Sequence, residues 1–159
     1  MIDELMVSAM RDFATLTGRA YSAISGSHLD DAGFVVVAQG SVVDDLEAAA
    51  SYLRETDGLR VGVLNLRQFR PFPAEAVTKA LRGQRGVTVL DRADAPFAQD
   101  PPLLREVRGA CEGVRFHSAI YGIGRGNPSM AELIATNRNL TQGDAGRKRI
   151  YLGVRFSDP

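Results

Sequence analysis

Residues 34–38 read Phe-Val-Val-Val-Ala, an unbroken apolar run with three β-branched valines at its centre. A strand on a half-wet sheet alternates apolar and polar residues; one with no polar position must be covered on both faces. The run therefore asks for a sheet with helices above and below. Residues 59–66 (LRVGVLNL), 86–91 (GVTVLD) and 114–122 (VRFHSAIYG) read as further strands, largely apolar and β-prone.

Between these runs lie segments with helical spacing. Residues 42–56 follow Ser41 as a candidate cap and carry Asp44 and Asp45 in the first turn, where acidic groups favour the helix dipole. Gly58 ends that helix. Residues 73–82 start with Pro73, residues 102–112 form a further helix, and residues 128–140 follow Asn127 as cap with Pro128 at the first position. Strands alternating with single helices predict parallel pairing through right-handed crossovers. The final run, residues 149–156, has no helix directly before it and is expected to be an antiparallel edge strand. The expected fold class is thus α/β: a three-layer α/β/α sandwich around a five-stranded, mostly parallel sheet with one antiparallel edge strand.

Ahead of this repeat, Ile2, Leu5, Met6, Ala9, Met10, Phe13 and Leu16 fall at steps of three and four, which predicts an amphipathic helix ending at Gly18. Residues 19–33 are small, polar and turn-rich, so residues 1–32 read as the N-terminal helix and linker of one domain spanning residues 1–159. The first helix belongs to no strand–helix repeat and the last strand stops three residues before Pro159, so the sequence reads as a piece of a longer polypeptide.

Composition narrows the partners. Nineteen basic and nineteen acidic residues cancel, leaving no global field for nucleic acid or an anionic membrane. Aromatic residues do not interleave with a basic stripe. No apolar run approaches the roughly 20 residues that span a bilayer. The N-terminal stretch is acidic rather than basic, unlike a signal peptide, and the expected location is the cytoplasm. The single cysteine, Cys111, excludes an internal disulfide and an iron–sulfur cluster held by this chain alone. Only Lys79 and Lys148 are lysines; an arginine-biased composition is the first explanation, with anion recognition by the guanidinium fork the alternative.

In an open parallel sheet, ligands bind beyond the carboxyl ends of the strands. Residues 39–41, 67–73, 91–100 and 122–127 are expected along that edge. Arg67, Arg70, Arg92 and Arg125 would meet there, with Asp91, Asp94 and Asp100 among them. Such an edge can hold a phosphate or carboxylate, or form ion pairs across an interface. The glycines at 122, 124 and 126 suggest a phosphate loop, but they follow the fourth strand instead of the first, and the next strand ends in Arg155 and Phe156 without the acidic residue of a dinucleotide fingerprint. A tight strand-to-helix turn is the better reading. His28, His117 and Cys111 fall in a loop, a strand and a late helical position, and make no catalytic pair. No metal-ligand spacing and no Walker-type loop is present.

Several stretches taken in order, MRDFATLTGRAY, FVVVAQGS, RVGVLNLRQFRPFPAEAVTKAL, VTVLDR and IYGIGRG, resemble the second domain of pyruvate:ferredoxin (flavodoxin) oxidoreductases. That domain is similar to the C-terminal domain of transketolases. The resemblance covers about residues 10–140. It implies the same three-layer fold, and a parent enzyme that converts a 2-oxo acid to an acyl-coenzyme A while reducing ferredoxin or flavodoxin. The parent would use thiamine diphosphate, magnesium, iron–sulfur clusters and coenzyme A, none of them held by this chain: the GDG…NN thiamine pattern is missing, and GDAG at residues 143–146 does not replace it.

The resemblance implies a non-catalytic structural or interface domain, packed against other domains or subunits and within a homodimer. Its Arg-Pro-Phe-Pro segment falls on Arg70, Pro71, Phe72 and Pro73, and its Leu-Asp-Arg on Leu90, Asp91 and Arg92. The chain departs from the family at residues 93–102 and 124–127. Candidate interface or anion-binding residues are Arg67, Arg70, Phe72, Asp91, Arg92, Gly124, Arg125 and Asn127. The alternative is a free-standing α/β domain binding a small anionic or nucleotide ligand at the same sheet edge.

Overall fold

A computed structural model describes residues 2–123, 126–142 and 149–154. The elements run α1 (Ile2–Thr17), β1 (Ile24–Ser27), β2 (Phe34–Ala38), α2 (Val42–Thr56), β3 (Val61–Leu66), α3 (Ala74–Leu81), β4 (Gly86–Asp91), α4 (Pro102–Ala110), β5 (Phe116–Ile120), α5 (Met130–Gln142) and β6 (Ile150–Tyr151). The strands form one six-stranded sheet in the order β1-β3-β2-β4-β5-β6. Every neighbouring pair is parallel except β1 with β3.

The valine run behaves as its composition requires. Val36 and Ala38 point into one core with Leu46, Ala50, Leu90 and Leu133, under α2 and α5. Val35 and Val37 point into the other with Leu64, Val89, Leu104 and Val107, under α3 and α4. All four residues are fully buried. Full burial stabilises by about 1.5–3 kcal/mol per large aliphatic side chain before entropy is counted, so a strand that feeds two cores anchors the sheet.

Three local expectations change. The stretch read as a linker contains β1, whose Ile24 pairs with Leu66 and Ser27 with Val63. The sheet thus has six strands, and its antiparallel edge lies here. At the other edge β6 runs parallel to β5, because α5 is itself the crossover between them. Helix α5 is capped by Ser129 in place of Asn127: the Ser129 N–H and hydroxyl both donate to Glu132 Oε2 at 2.8 Å, and the Glu132 N–H donates to Ser129 Oγ at 3.3 Å. This is a reciprocal capping box. Ser41 stands at the N-cap of α2 with helical backbone angles and no side-chain cap bond. Cys111 lies just past the end of α4 and is buried, as a small core side chain would be.

Helix α1 differs from the others. It has no buried residue.

Candidate interface at the carboxyl edge of the sheet

The chain leaves β2 for α2 on one face of the sheet and leaves β4 for α4 on the other. β2 and β4 are neighbours, so their carboxyl ends flank the switch point of the topology, where open α/β sheets keep a crevice. Here the crevice has a volume of about 270 Å³ and is lined by Gln39, Gly40, Ser41, Asp91, Arg92 and Tyr121. Gly40 takes φ +79°, a left-handed turn that carries the chain from β2 straight into α2.

Asp91 ends β4 and is buried to 4% exposure. Its carboxylate accepts the backbone N–H groups of Leu103 at 2.8 Å and Leu104 at 3.1 Å. Those are donors of the first turn of α4, which Pro101 and Pro102 leave without a side-chain cap. Asp91 is therefore the remote cap of α4, and it welds the β4 end to the helix on the opposite layer. Burial pushes its pKa above the ordinary carboxylate value, against the pull of the two N–H donors. Tyr121 closes the other wall; its hydroxyl donates to the Gln39 carbonyl at 3.3 Å, and burial raises its pKa. The Arg92 stem lies over Gly122, where a Cβ would stand 3.2 Å from Arg92 Nε. Gly122 also takes φ +71°, a left-handed turn that favours glycine.

The remaining predicted residues stand apart from the crevice. Arg67 lies over the Tyr21 ring, 5.1 Å from its centroid. Arg70 donates to Glu106 Oε1 on α4 at 2.8 Å and to the Phe69 carbonyl at 2.9 Å, with its guanidinium 4.2 Å from the Phe69 centroid. Phe72 packs on the core beneath α3 and α4, and Gln68, 8% exposed, donates to the Pro71 carbonyl at 2.8 Å. Asn127 is exposed ahead of α5. Gly124 and Arg125 lie outside the described residues. Arg67, Arg70 and Arg92 have separate partners: the Tyr21 ring, Glu106 with Phe69, and the Gly122 turn.

Sequence reasoning missed the tie at the far end. Asp94 accepts Arg149 Nη1 at 2.6 Å, the Tyr151 hydroxyl at 2.8 Å and the Ala95 N–H at 2.7 Å. The loop after β4 is so fastened to β6. Arg149 and Tyr151 lie more than fifty residues from Asp94, and no local pattern announces such a pair. Asp100 pairs with Arg108 at 2.9 Å.

Histidine and cysteine chemistry finds no common place. His28 sits between β1 and β2 with φ +56°, and His117 is on β5 with its Nε2 buried and unpartnered. Burial, helped by Arg115, holds the His117 pKa below the usual value. Cys111 Sγ lies 4.0 Å from Thr78 Oγ1, and burial raises its thiol pKa. Among the described residues, no group of three histidine, cysteine, aspartate or glutamate side chains is placed to hold a metal ion. The donor set here does not fit a resident magnesium ion or iron–sulfur cluster, and no step through either is assigned to this chain. Among the same residues, no helix is long and apolar enough to cross a membrane.

These features define an α/β domain whose carboxyl-edge loops are bound to one another by capping carboxylates and ion pairs. The chain belongs to the pyruvate:ferredoxin oxidoreductase core domain II family, whose description matches residues 32–133. It is 36% identical over 155 residues to the pyruvate synthase subunit PorA of Thermotoga maritima, covering 91% of this chain and 38% of the relative. It is 38% identical over 101 residues to the ketoisovalerate oxidoreductase subunit VorA of Pyrococcus abyssi, covering 63% of this chain and 25% of the relative. With the pyruvate:ferredoxin oxidoreductase of Moorella thermoacetica it shares 32% identity over 140 residues, covering 84% of this chain and 12% of the relative. The chain therefore spans well under half the length of these relatives.

Proposed function

We propose that this chain is a non-catalytic structural and interface domain of a cytoplasmic, thiamine-dependent 2-oxoacid:ferredoxin oxidoreductase. The whole enzyme would convert a 2-oxo acid to an acyl-coenzyme A and pass electrons to ferredoxin or flavodoxin. Thiamine diphosphate, magnesium, the iron–sulfur clusters and the coenzyme A site belong, on this reading, to other domains or subunits. The observation that carries it is the match of residues 32–133 to the core domain II family within relatives far longer than this chain. The loop after β4 supports it: Asp91, Asp94 and Asp100 serve α4, β6 and Arg108 as fasteners, which suits a rigid spacer.

On this reading the chain is one domain of the assembly. Arg67, Arg92 and Asn127, with Gly124 and Arg125, offer their polar groups to a neighbouring domain, while Arg70, Phe72 and Asp91 hold the loops that present them. Relatives named for pyruvate and for ketoisovalerate leave the substrate at the class of 2-oxo acids. The comparisons favour this reading over a free-standing anion-binding domain.

The test is affinity purification of the tagged chain from its source cells under native conditions. Expected is co-purification, or covalent continuity, with a protein that contains thiamine diphosphate, and 2-oxoacid-dependent reduction of a viologen dye by that complex, with no turnover by the isolated 159-residue chain. Turnover by the isolated chain, or a chain recovered free of any thiamine diphosphate protein, would overturn the proposal.

A further inference from the structure

A second cavity, of about 260 Å³, lies on the β5 side of the sheet and shares no lining residue with the crevice between β2 and β4. Its walls are α4, β5, Asp100 of the loop after β4, and Arg149 just ahead of β6. Phe116 packs in the core under α3 and α4, and the two-residue period of a strand sets Ser118 on the same face, with Leu104 and Arg108 of α4. His117 belongs by that period to the opposite face, as its neighbour Ser118 does not.

Two donors of this cavity are left over. Ser118 Oγ is buried with no hydrogen-bond partner, and Arg108 Nε, also buried, stands 2.9 Å from Asp100 Oδ2 but off the line of a hydrogen bond. Among the described residues the Arg108 Nη groups have no acceptor either. The guanidinium is nonetheless held in place, since it lies over the Phe116 ring at 5.3 Å from the centroid. Buried donors of this kind are unfavourable until an acceptor from outside the chain completes them. Charge agrees: the lining carries two guanidiniums, Arg108 and Arg149, against the one carboxylate of Asp100. Arg149 is already spent on Asp94 and on the Ala98 and Gln99 carbonyls, so Arg108 and Ser118 supply the free donors.

We infer that this cavity is a binding site for a small monocarboxylate with a short aliphatic tail. The carboxylate oxygens accept from Arg108 Nη and Ser118 Oγ, and the tail lies against Leu104 and Phe116. A guanidinium fork matches the two oxygens of a carboxylate, and the cavity is smaller than the roughly 300–1,000 Å³ that hold drug-sized ligands. The inference uses this chain's residues alone and does not rest on the parent-enzyme reading, so either can fail without the other.

The probe is butyrate, titrated at constant ionic strength into the isotope-labelled 159-residue chain and followed by amide NMR shifts. Expected are saturable shifts confined to residues 104–108 and 116–118, with a dissociation constant on the order of 1 mM for so small a ligand. Ser118→Ala removes a hydroxyl without a partner in the free protein; it keeps the thermal midpoint of wild type and weakens butyrate about 10-fold. Arg108→Lys keeps the charge but not the fork and weakens butyrate by a similar factor. Butyramide, of the same shape but neutral, binds at least about 10-fold more weakly. Shifts that fail to saturate well above the expected dissociation constant, as for a cavity that holds only water, overturn the inference. So does butyramide or inorganic phosphate binding as tightly as butyrate, or a Ser118→Ala variant that binds as wild type does.

Discussion

Two carboxylates, Asp91 and Glu132, do the same mechanical work at the starts of α4 and α5, yet their environments give them opposite pH signatures. Asp91 is buried and its folded pKa lies above 3.8. The native state therefore keeps that proton longer than the unfolded chain, and the contribution of Asp91 to stability declines as pH rises from the unfolded pKa through the folded one. Glu132 is held below 4.5 by the Ser129 N–H first, then by the Gly153 N–H and the Ser129 hydroxyl. Its contribution is present above 4.5 and is lost as pH falls through the folded pKa. Urea unfolding of Glu132→Gln is therefore expected to show a deficit against wild type at pH 7 that shrinks on acidification. Ser129→Ala, which removes the other half of the box, costs about 1 kcal/mol. Asp91→Ala leaves two helix N–H groups facing a buried void and costs about 1–3 kcal/mol at pH 7. If Asp91→Ala unfolds at the wild-type denaturant midpoint, the capping role assigned to Asp91 is wrong.

Among the elements, β2 to β5 were legible because each is a short β-prone run bounded by turns, β2 wholly apolar, and the order of helices between them dictated parallel pairing. β1 was hidden: Ile24-Ser-Gly-Ser has one apolar side chain, and it becomes a strand only because β3 offers it an open edge. Direction at β6 was misjudged because α5 continues to Gln142 and serves as the crossover. The cap of α5 was readable after all, since Ser129 followed three residues later by Glu132 is the capping-box pattern. Arg67, Arg70, Phe72, Arg92 and Asn127 lie between the strands and helices that the spacing predicts, but the partner of an edge residue can lie across the fold, as Leu103 does for Asp91, and spacing along the chain does not encode it. Gly62 shows how closely β1 and its turn are fitted to β3. A Cβ there would stand 2.8 Å from the His28 carbonyl oxygen and 3.0 Å from Ala32 Cβ. Gly62→Ala is expected to cost about 1–3 kcal/mol by overpacking, read as a lower thermal midpoint. An unchanged midpoint would show that the turn moves aside freely.

At the scale of the whole molecule, the domain divides into a sheet with two cores and an arm that contributes to neither. Deleting residues 1–19 removes α1 without exposing either core. The shortened chain is expected to keep one cooperative unfolding transition, with a midpoint at low protein concentration within about 3 °C of wild type, since no residue of α1 is itself buried and a shift that small corresponds to about 1 kcal/mol for a domain of this size. A collapse of cooperativity would show that α1 is part of the folding unit. The antiparallel edge has a further consequence, for the order in which the protein is made. β1 leaves the ribosome before β2, yet the strand it pairs with is complete only at Leu66. Translation from Ser27 to Leu66 takes on the order of 2 to 8 s at about 5–20 residues per second. For those seconds the amphipathic arm and its nascent strand have no sheet to join, and a strand synthesised ahead of β2 finds its place only after β2 and β3 are both complete.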